Sequence, residues 1–306
     1  MVFALRVILT YSFRRGNPKI WRYLRAPIMI NILDIPKYTD WRGEIRELWV
    51  DSGGYQVLLR GIKLDPKEIA TKQMNLEPDY AIMPDNPHNP HITLTWYKEY
   101  LKADHPERVV PVVHTNWNED QFKKLMKIIR DFMDHDEIII GIGGASNLVN
   151  HPFNPRNIVR FLETYKLIRK KFECIHVLGV GGYSIIPILA LLNVESFDTA
   201  SWIHDARFGL IRIGERAVSL KANASNDRNT KLTDDEILEV TDIKEDELYA
   251  MKKNDLKGFY LRALHNAKNL VKYVDRISSL SRSELLKVIK FKFLREYVIK
   301  ILNDFE

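Results

Sequence analysis

A (β/α)8 TIM barrel in the α/β class is the fold this sequence predicts. Short β-rich runs alternate with longer helical patterns from about residue 27 to about 215, and the strand candidates number eight. No internal repeat, low-complexity segment or Pro/Gly linker marks an independent second domain. A doubly wound open sheet is the runner-up, because the first and last strand candidates are short.

In chain order the strand candidates are Pro27–Asn31, Glu47–Val50, Tyr80–Met83, Val109–Val113, Glu137–Ile142, Cys174–Val180, Val194–Phe197 and Leu210–Ile213. Helical patterns fill the gaps at 66–75, 91–103, 119–134, 155–171 and 184–192. Asp65 before Pro66 reads as an N-cap followed by proline at the first helical position. Asn118 with Gln121 reads as a capping pair ahead of Phe122, Leu125, Ile128, Ile129 and Phe132, which are spaced for one apolar face. From Thr233 onward the pattern turns helical and charged, and 283–302 is expected to be one long amphipathic helix. The organisation expected is a catalytic barrel over 1–232 and a helical C-terminal extension over 233–306 packed on it.

With 306 residues and 45% hydrophobic content, the chain can bury a large core. No apolar run approaches the roughly 20 residues of a membrane span. The start is interrupted by Arg6, Arg14 and Arg15 and does not read as a signal peptide, so no membrane partner and a cytoplasmic location are expected. The single cysteine, Cys174, excludes an internal disulfide and a Cys-rich metal site, and reads as a strand thiol, not a nucleophile. A net charge of +6 permits nucleic-acid binding without requiring it.

The chemistry concentrates where predicted strands end. Asp51-Ser52-Gly53-Gly54-Tyr55-Gln56 follows one apolar run, and Asp198 closes another. Asp85, His114, Gly143-Gly144 and Gly179 hold matching positions. In a barrel such positions converge on the C-terminal rim, where these folds carry their active sites. Two carboxylates delivered there suit a division into nucleophile and acid/base, as in glycosyl-bond chemistry. Taken singly, Asp-Ser-Gly-Gly is ordinary turn chemistry. The joint placement favours function.

On these residues the chain resembles the guanine transglycosylase family, which installs 7-deazaguanine bases in nucleic acid. Asp51–Val57 matches the family's Asp-Ser-Gly-Gly-Phe/Tyr-Gln-Val, and Gly141–Gly144 resembles its Ile-Gly-Gly turn. Val177–Gly181 resembles Leu-Met-Gly-Val-Gly, and Ala206-Arg207-Phe208-Gly209 fits Ala-Arg-x-Gly behind Asp198. The resemblance spans roughly residues 25–270. It implies that Asp198 attacks C1′ to form a covalent glycosyl-enzyme while Asp51 serves as general acid/base. Asp85 would read the guanine edge, with His114 beside it where the family has glutamine. Ser52, Gly143 and Gly144 would line the polar pocket, and Tyr55 and Leu178 would sandwich the base, with Gly179 keeping the wall thin. His204 and Arg207 would contact the nucleic acid.

The departures are as informative. The family's zinc ligands align near Leu248, Ala250, Lys253 and Ser279, so no metal and no cofactor are expected, and packing around Phe259, Tyr260, Leu261 and Leu264 would replace the zinc. His204 stands for the family's arginine and Trp202 for a proline, and the RNA-binding appendage of the tRNA-15 enzymes is absent from this sequence. These changes fall on the tRNA grip and favour DNA as the acceptor, with a free 7-deazaguanine such as preQ0 as the incoming base. They leave room for an ATP-dependent helper and for a homodimer. The alternatives are a tRNA substrate, a non-catalytic nucleic-acid-binding member, and a hydrolytic glycosylase. Less favoured are a metal loop at 85–91 and a phosphosugar enzyme reading of the glycine turns.

Overall fold

The computed structural model describes residues 4–37, 40–54, 56, 60–61, 63–133, 138–144, 155–180, 182–220, 232–290 and 292–304. Nine parallel strands form one sheet: β1 Arg6–Tyr11, β2 Ile28–Asn31, β3 Leu48–Asp51, β4 Tyr80–Ile82, β5 Val109–Val110, β6 Val112–His114, β7 Ile139–Gly143, β8 Cys174–Val177 and β9 Ser196–Thr199. Their order is β5-β4-β3-β2-β1-β9-β8-β7-β6. The two ends of that order are consecutive in sequence and separated only by Pro111. Proline has no N–H to give a ladder, while its carbonyl accepts from Gly141 N–H at 2.8 Å. Val110 therefore pairs toward β4 and Val112 toward β7. Counting β5 and β6 as one interrupted strand, the sheet is an eight-stranded barrel, and the open-sheet alternative falls away.

Two strand assignments change. Arg6–Tyr11, not predicted as a strand, is the barrel strand between β2 and β9. Leu210–Ile213, expected as the eighth barrel strand, pairs only with Arg216–Ser219, in a separate antiparallel hairpin. Arg6 disguised β1 in the sequence. It opens the strand and forms ion pairs with Glu47 and Glu195 at 3.2 Å each, tying β1 to the residues that precede β3 and β9.

Alternate residues of each strand point inward. Ile8, Met29, Trp49, Ile82, Val110, Val112 and Ile139 fill the barrel, while the larger outer core packs strands against helices. The helix Pro66–Met74 is capped by Asp65 accepting from Lys67 N, and Glu119–Phe132 opens with the Asn118–Gln121 capping box, both as the sequence predicts. Phe132 ends that helix exposed. The long helix expected at 283–302 is two: Arg282–Val288 and Lys292–Asn303. Buried Ile289 sits at the break, its carbonyl taken by Arg295.

In the C-terminal part, the helix Leu256–Ser278 is the main element lying on the barrel. Its buried line is Arg262, Ala263, Asn266, Ala267 and Leu270, while Phe259, Tyr260, Leu261 and Leu264 are only half-buried. The Arg262 guanidinium donates to the carbonyls of Ala206, Lys253 and Met251. Asn266 donates to Trp202 and Leu210 carbonyls at 3.2 and 3.1 Å. Polar cross-bracing thus does work the sequence assigned to apolar packing.

Candidate active site at the barrel mouth

Strand alternation places one polar or glycine position at the inward C-terminal end of most strands: Thr10, Asn31, Asp51, His114, Gly143 and Asp198. Asp198 ends β9's inward row, level with Ile8 of β1. Its carboxylate is held on both oxygens. Thr10 Oγ1 donates to Oδ2 at 2.7 Å, and Gly179 N–H donates to Oδ1 at 2.8 Å. Gly179 has φ 67°, the left-handed conformation that turns its amide toward the acid. Its backbone donor therefore has a partner that sequence reasoning did not foresee.

Asp51 ends β3 and receives Asn31 Nδ2–H at 2.9 Å, while Asn31 Oδ1 is fixed by Leu33 N–H at 2.9 Å. Burial pushes the Asp51 carboxyl up to about 7, and the negative charges of Asp85 and Asp198 push the same way against bonds from Gly53 and Ser52 amides. A carboxyl that titrates near neutrality suits proton transfer in both directions. Asp51, Asp85 and Asp198 thus share one electrostatic neighbourhood.

Asp85 and His114 form a buried pair, His114 Nε2 to Asp85 Oδ2 at 2.6 Å. Glycines on both sides make this possible. A Cβ on Gly143 would lie 2.5 Å from His114 Cε1, and one on Gly54 would lie 2.3 Å from the Asp85 carbonyl. Ser52 is buried, and its hydroxyl donates to the Met83 carbonyl at 3.3 Å. Gly144, at φ 87°, stands beside Thr115. Gly141, whose absent side chain leaves space for Leu178, lets Leu178 lie inward at the mouth. Tyr55 lies outside the described residues.

His204 and Arg207 lie on the short helix Ser201–Arg207 that follows Asp198, and both are exposed. Arg14 stands near enough to Arg207 to lower its pKa further after desolvation. Trp202 is buried and donates from Nε1 to the Thr10 carbonyl at 3.2 Å, binding this helix to β1. Cys174 is half-buried, and burial pushes its thiol up to about 12, so it stays protonated and unreactive.

Among the described residues, no group of three or more His, Cys, Asp or Glu is arranged for a metal. In the 85–91 loop, His88 and His91 are exposed, Asn86 Oδ1 accepts two backbone N–H groups, and Asn89 caps the following helix. At the positions aligned with zinc ligands, Leu248 and Ala250 are buried and carry no ligating atom, so these residues do not fit a zinc ion. No helix among the described residues is long and apolar enough to cross a membrane.

Sequence reasoning missed Thr10, Asn31, His176 and Ser196. The continuous apolar run Val7-Ile8-Leu9, ending at Thr10, was the available signal for a strand there. His176 is buried inside the barrel, stacked on Trp49 with ring centroids 4.7 Å apart.

A family model described as queuine tRNA-ribosyltransferase matches residues 26–298. The chain is 29% identical over 192 residues to "Uncharacterized protein 306" of Sulfolobus islandicus rod-shaped virus 1, covering 60% of this chain and 57% of that one. It is 24% identical over 204 residues to the tRNA-guanine(15) transglycosylase of Pyrobaculum aerophilum, covering 62% of this chain and 40% of that one. The tRNA-guanine(15) transglycosylase of Saccharolobus solfataricus is 24% identical over 185 residues, covering 56% of this chain and 37% of that one. The matches thus span from 37% to 57% of these relatives' length.

Proposed function

The chain belongs to the queuine tRNA-ribosyltransferase family, and from that premise we propose that it is a nucleic-acid guanine transglycosylase, a pentosyltransferase that exchanges guanine for a 7-deazaguanine base. The observation that carries this is the pairing at the mouth. Asp198 is held on both oxygens by Thr10 and Gly179, and Asp51, within its electrostatic reach, titrates near 7.

In the first half-reaction an Asp198 oxygen attacks C1′, the glycosidic bond breaks, and guanine leaves with a proton from Asp51. In the second, Asp51 takes the proton of the incoming base, whose nitrogen attacks C1′ and expels Asp198. Two inversions retain the sugar's configuration. Asp85 Oδ1, left free by His114, would accept from the guanine edge, with Gly143 and Gly144 beside it and Leu178 against the ring face. The target nucleotide must be unstacked to enter, which costs a few kcal/mol and suits an ATP-dependent helper on duplex DNA.

DNA is the favoured acceptor. Its support is the set of departures from the tRNA-binding pattern: His204 for arginine, Trp202 for proline, and Leu248 and Ala250 where zinc thiolates stand. The reading needs no cofactor. A tRNA acceptor is the second reading, favoured by the two relatives named tRNA-guanine(15) transglycosylases.

The deciding experiment gives the chain radiolabelled guanine with duplex DNA, single-stranded DNA and unmodified tRNA in parallel. Label in DNA supports both activity and acceptor. Label in tRNA keeps the chemistry and reverses the acceptor, and label in neither, with a 7-deazaguanine base also failing, overturns the reading.

A further inference from the structure

We propose that His176 is a positioning residue for Asp198, steadying the carboxylate from inside the barrel. The inference rests on the reading of Asp198 as nucleophile. His176 is the third residue of β8, and its ring has no exposure to solvent. Nδ1 lies 2.9 Å from Ser196 Oγ, two residues before Asp198 on the adjoining strand. Nε2 lies 3.4 Å from Asp198 Oδ1 and has no hydrogen-bond partner among the described residues.

The ring cannot easily turn away. Trp49 stacks on it at an interplanar angle of 30°, Tyr80 stacks on Trp49 at a centroid distance of 4.3 Å, and Glu47 accepts from Trp49 Nε1 at 2.8 Å. Gly141, its register neighbour on β7, brings no side chain against it. A buried ring nitrogen without a partner is destabilising, so a site that keeps one needs a reason.

The tautomer supplies the reason. Ser196 can rotate its hydroxyl to donate to Nδ1, which leaves the proton on Nε2, facing Oδ1. In the resting site Gly179 N–H already holds Oδ1. When the glycosyl-enzyme breaks down, the C1′–O bond electrons return to the Asp198 carboxylate. The Nε2 proton, 3.4 Å from Oδ1, then faces the returning charge. Its pull on that charge grows as the glycosyl ester breaks, so it favours the second half-reaction and acts on kcat, not on KM.

Two variants of the full chain test it. His176→Phe keeps the ring volume and the Trp49 stack without a donor. His176→Gln carries an amide N–H that reaches the Nε2 position. The expected result is a 10- to 100-fold fall in single-turnover exchange for His176→Phe, with unchanged KM for the base and unchanged melting temperature, and recovery to within about fivefold in His176→Gln. Equal rates in all three proteins overturn the proposal. So does a KM effect that His176→Gln fails to relieve.

A second measurement survives failure of the function reading. In ¹⁵N-histidine spectra, His176 should carry its proton on Nε2 in the wild type and shift toward the Nδ1 tautomer in Asp198→Ala, which removes the acceptor that faces Nε2. An unchanged tautomer overturns the pairing. An active Asp198→Asn overturns the nucleophile assignment instead.

Discussion

Thr10 Oγ1 donates a 2.7 Å hydrogen bond to Asp198 Oδ2, joining the ends of two adjacent strands that lie 188 residues apart. The bond couples barrel closure to site geometry, because β1 can hold the acid only when paired with β9. The Trp202 indole on the Thr10 carbonyl fixes the same strand end. Thr10→Val keeps the branched shape and loses the hydroxyl. Removing a hydrogen bond to a charged group costs about 1.5–3 kcal/mol, so exchange should fall by roughly 10- to 150-fold. Single-turnover incorporation of labelled guanine checks it, and a rate within twofold of wild type would show that Gly179 alone aligns the acid.

Asp51 links the mechanism to pH. Its folded-state value is raised from 3.8 to about 7, so the folded chain binds this proton more tightly than the unfolded chain does. The stability it contributes is fully present below about 3.8 and is lost as pH rises through 7. Asp51→Asn removes that slope, and at pH 8 the variant should gain stability, with about 4 kcal/mol as the upper bound. Urea midpoints at pH 4.5 and 8 for both proteins measure it. The same variant should abolish exchange, and in the wild type formation of the glycosyl-enzyme should decline above an apparent pKa near 7. Parallel pH slopes in the two proteins would contradict the shift.

Much of this site was legible because barrel chemistry follows strand ends. Asp51, His114, Gly143 and Asp198 each end a strand's apolar run, and period-two alternation aims them at one mouth, while Asp85 stands in the loop after Tyr80–Ile82. What stayed hidden depends on long-range partners. Leu210–Ile213 is a strand, as its composition says, but composition does not reveal that its partner is Arg216–Ser219 instead of the barrel. Arg6 looked like an interruption because its anions, Glu47 and Glu195, are distant in sequence. His176 was missed for the same reason, since Ser196 and Asp198 come alongside only when β8 pairs with β9.

The Asp85–His114 pair makes a prediction about base selection. His114 occupies Oδ2 and leaves Oδ1 to meet the base, so Asp85→Ala should weaken guanine selection more than nucleic-acid binding. A loss of about 1–3 kcal/mol corresponds to roughly 5- to 150-fold in KM for the base. Nucleic-acid affinity, measured by filter binding, should stay within about threefold. Loss of nucleic-acid binding in this variant would make Asp85 structural.

Gly143→Ala tests the same pair from its packing side. The new methyl would stand 2.5 Å from His114 Cε1 and 2.6 Å from Nδ1, so the ring must move and its bond to Asp85 must lengthen. Overpacking of this kind costs about 1–3 kcal/mol, and base affinity should fall with stability. Calorimetry and base-binding titrations on one preparation measure both. Unchanged base affinity would mean that the ring is free to shift without Asp85.

Arg262 tests how the C-terminal helices are held. Its buried guanidinium serves carbonyls at the ends of two helices, those of Ala206, Met251 and Lys253, near positions where zinc ligands would align. Arg262→Met keeps the apolar stem and strands the Met251 and Lys253 carbonyls, while that of Ala206 keeps its bond from Gly209 N–H. Each unsatisfied buried group costs about 1–3 kcal/mol, so about 2–6 kcal/mol is expected for the two, and a melting temperature lower by roughly 5–15 °C. Added zinc should not restore it, because Leu248 and Ala250 offer no ligand. Activity lost at temperatures where the variant is still folded would instead tie Arg262 to the helix Ser201–Arg207 that follows Asp198, through its bond to the Ala206 carbonyl.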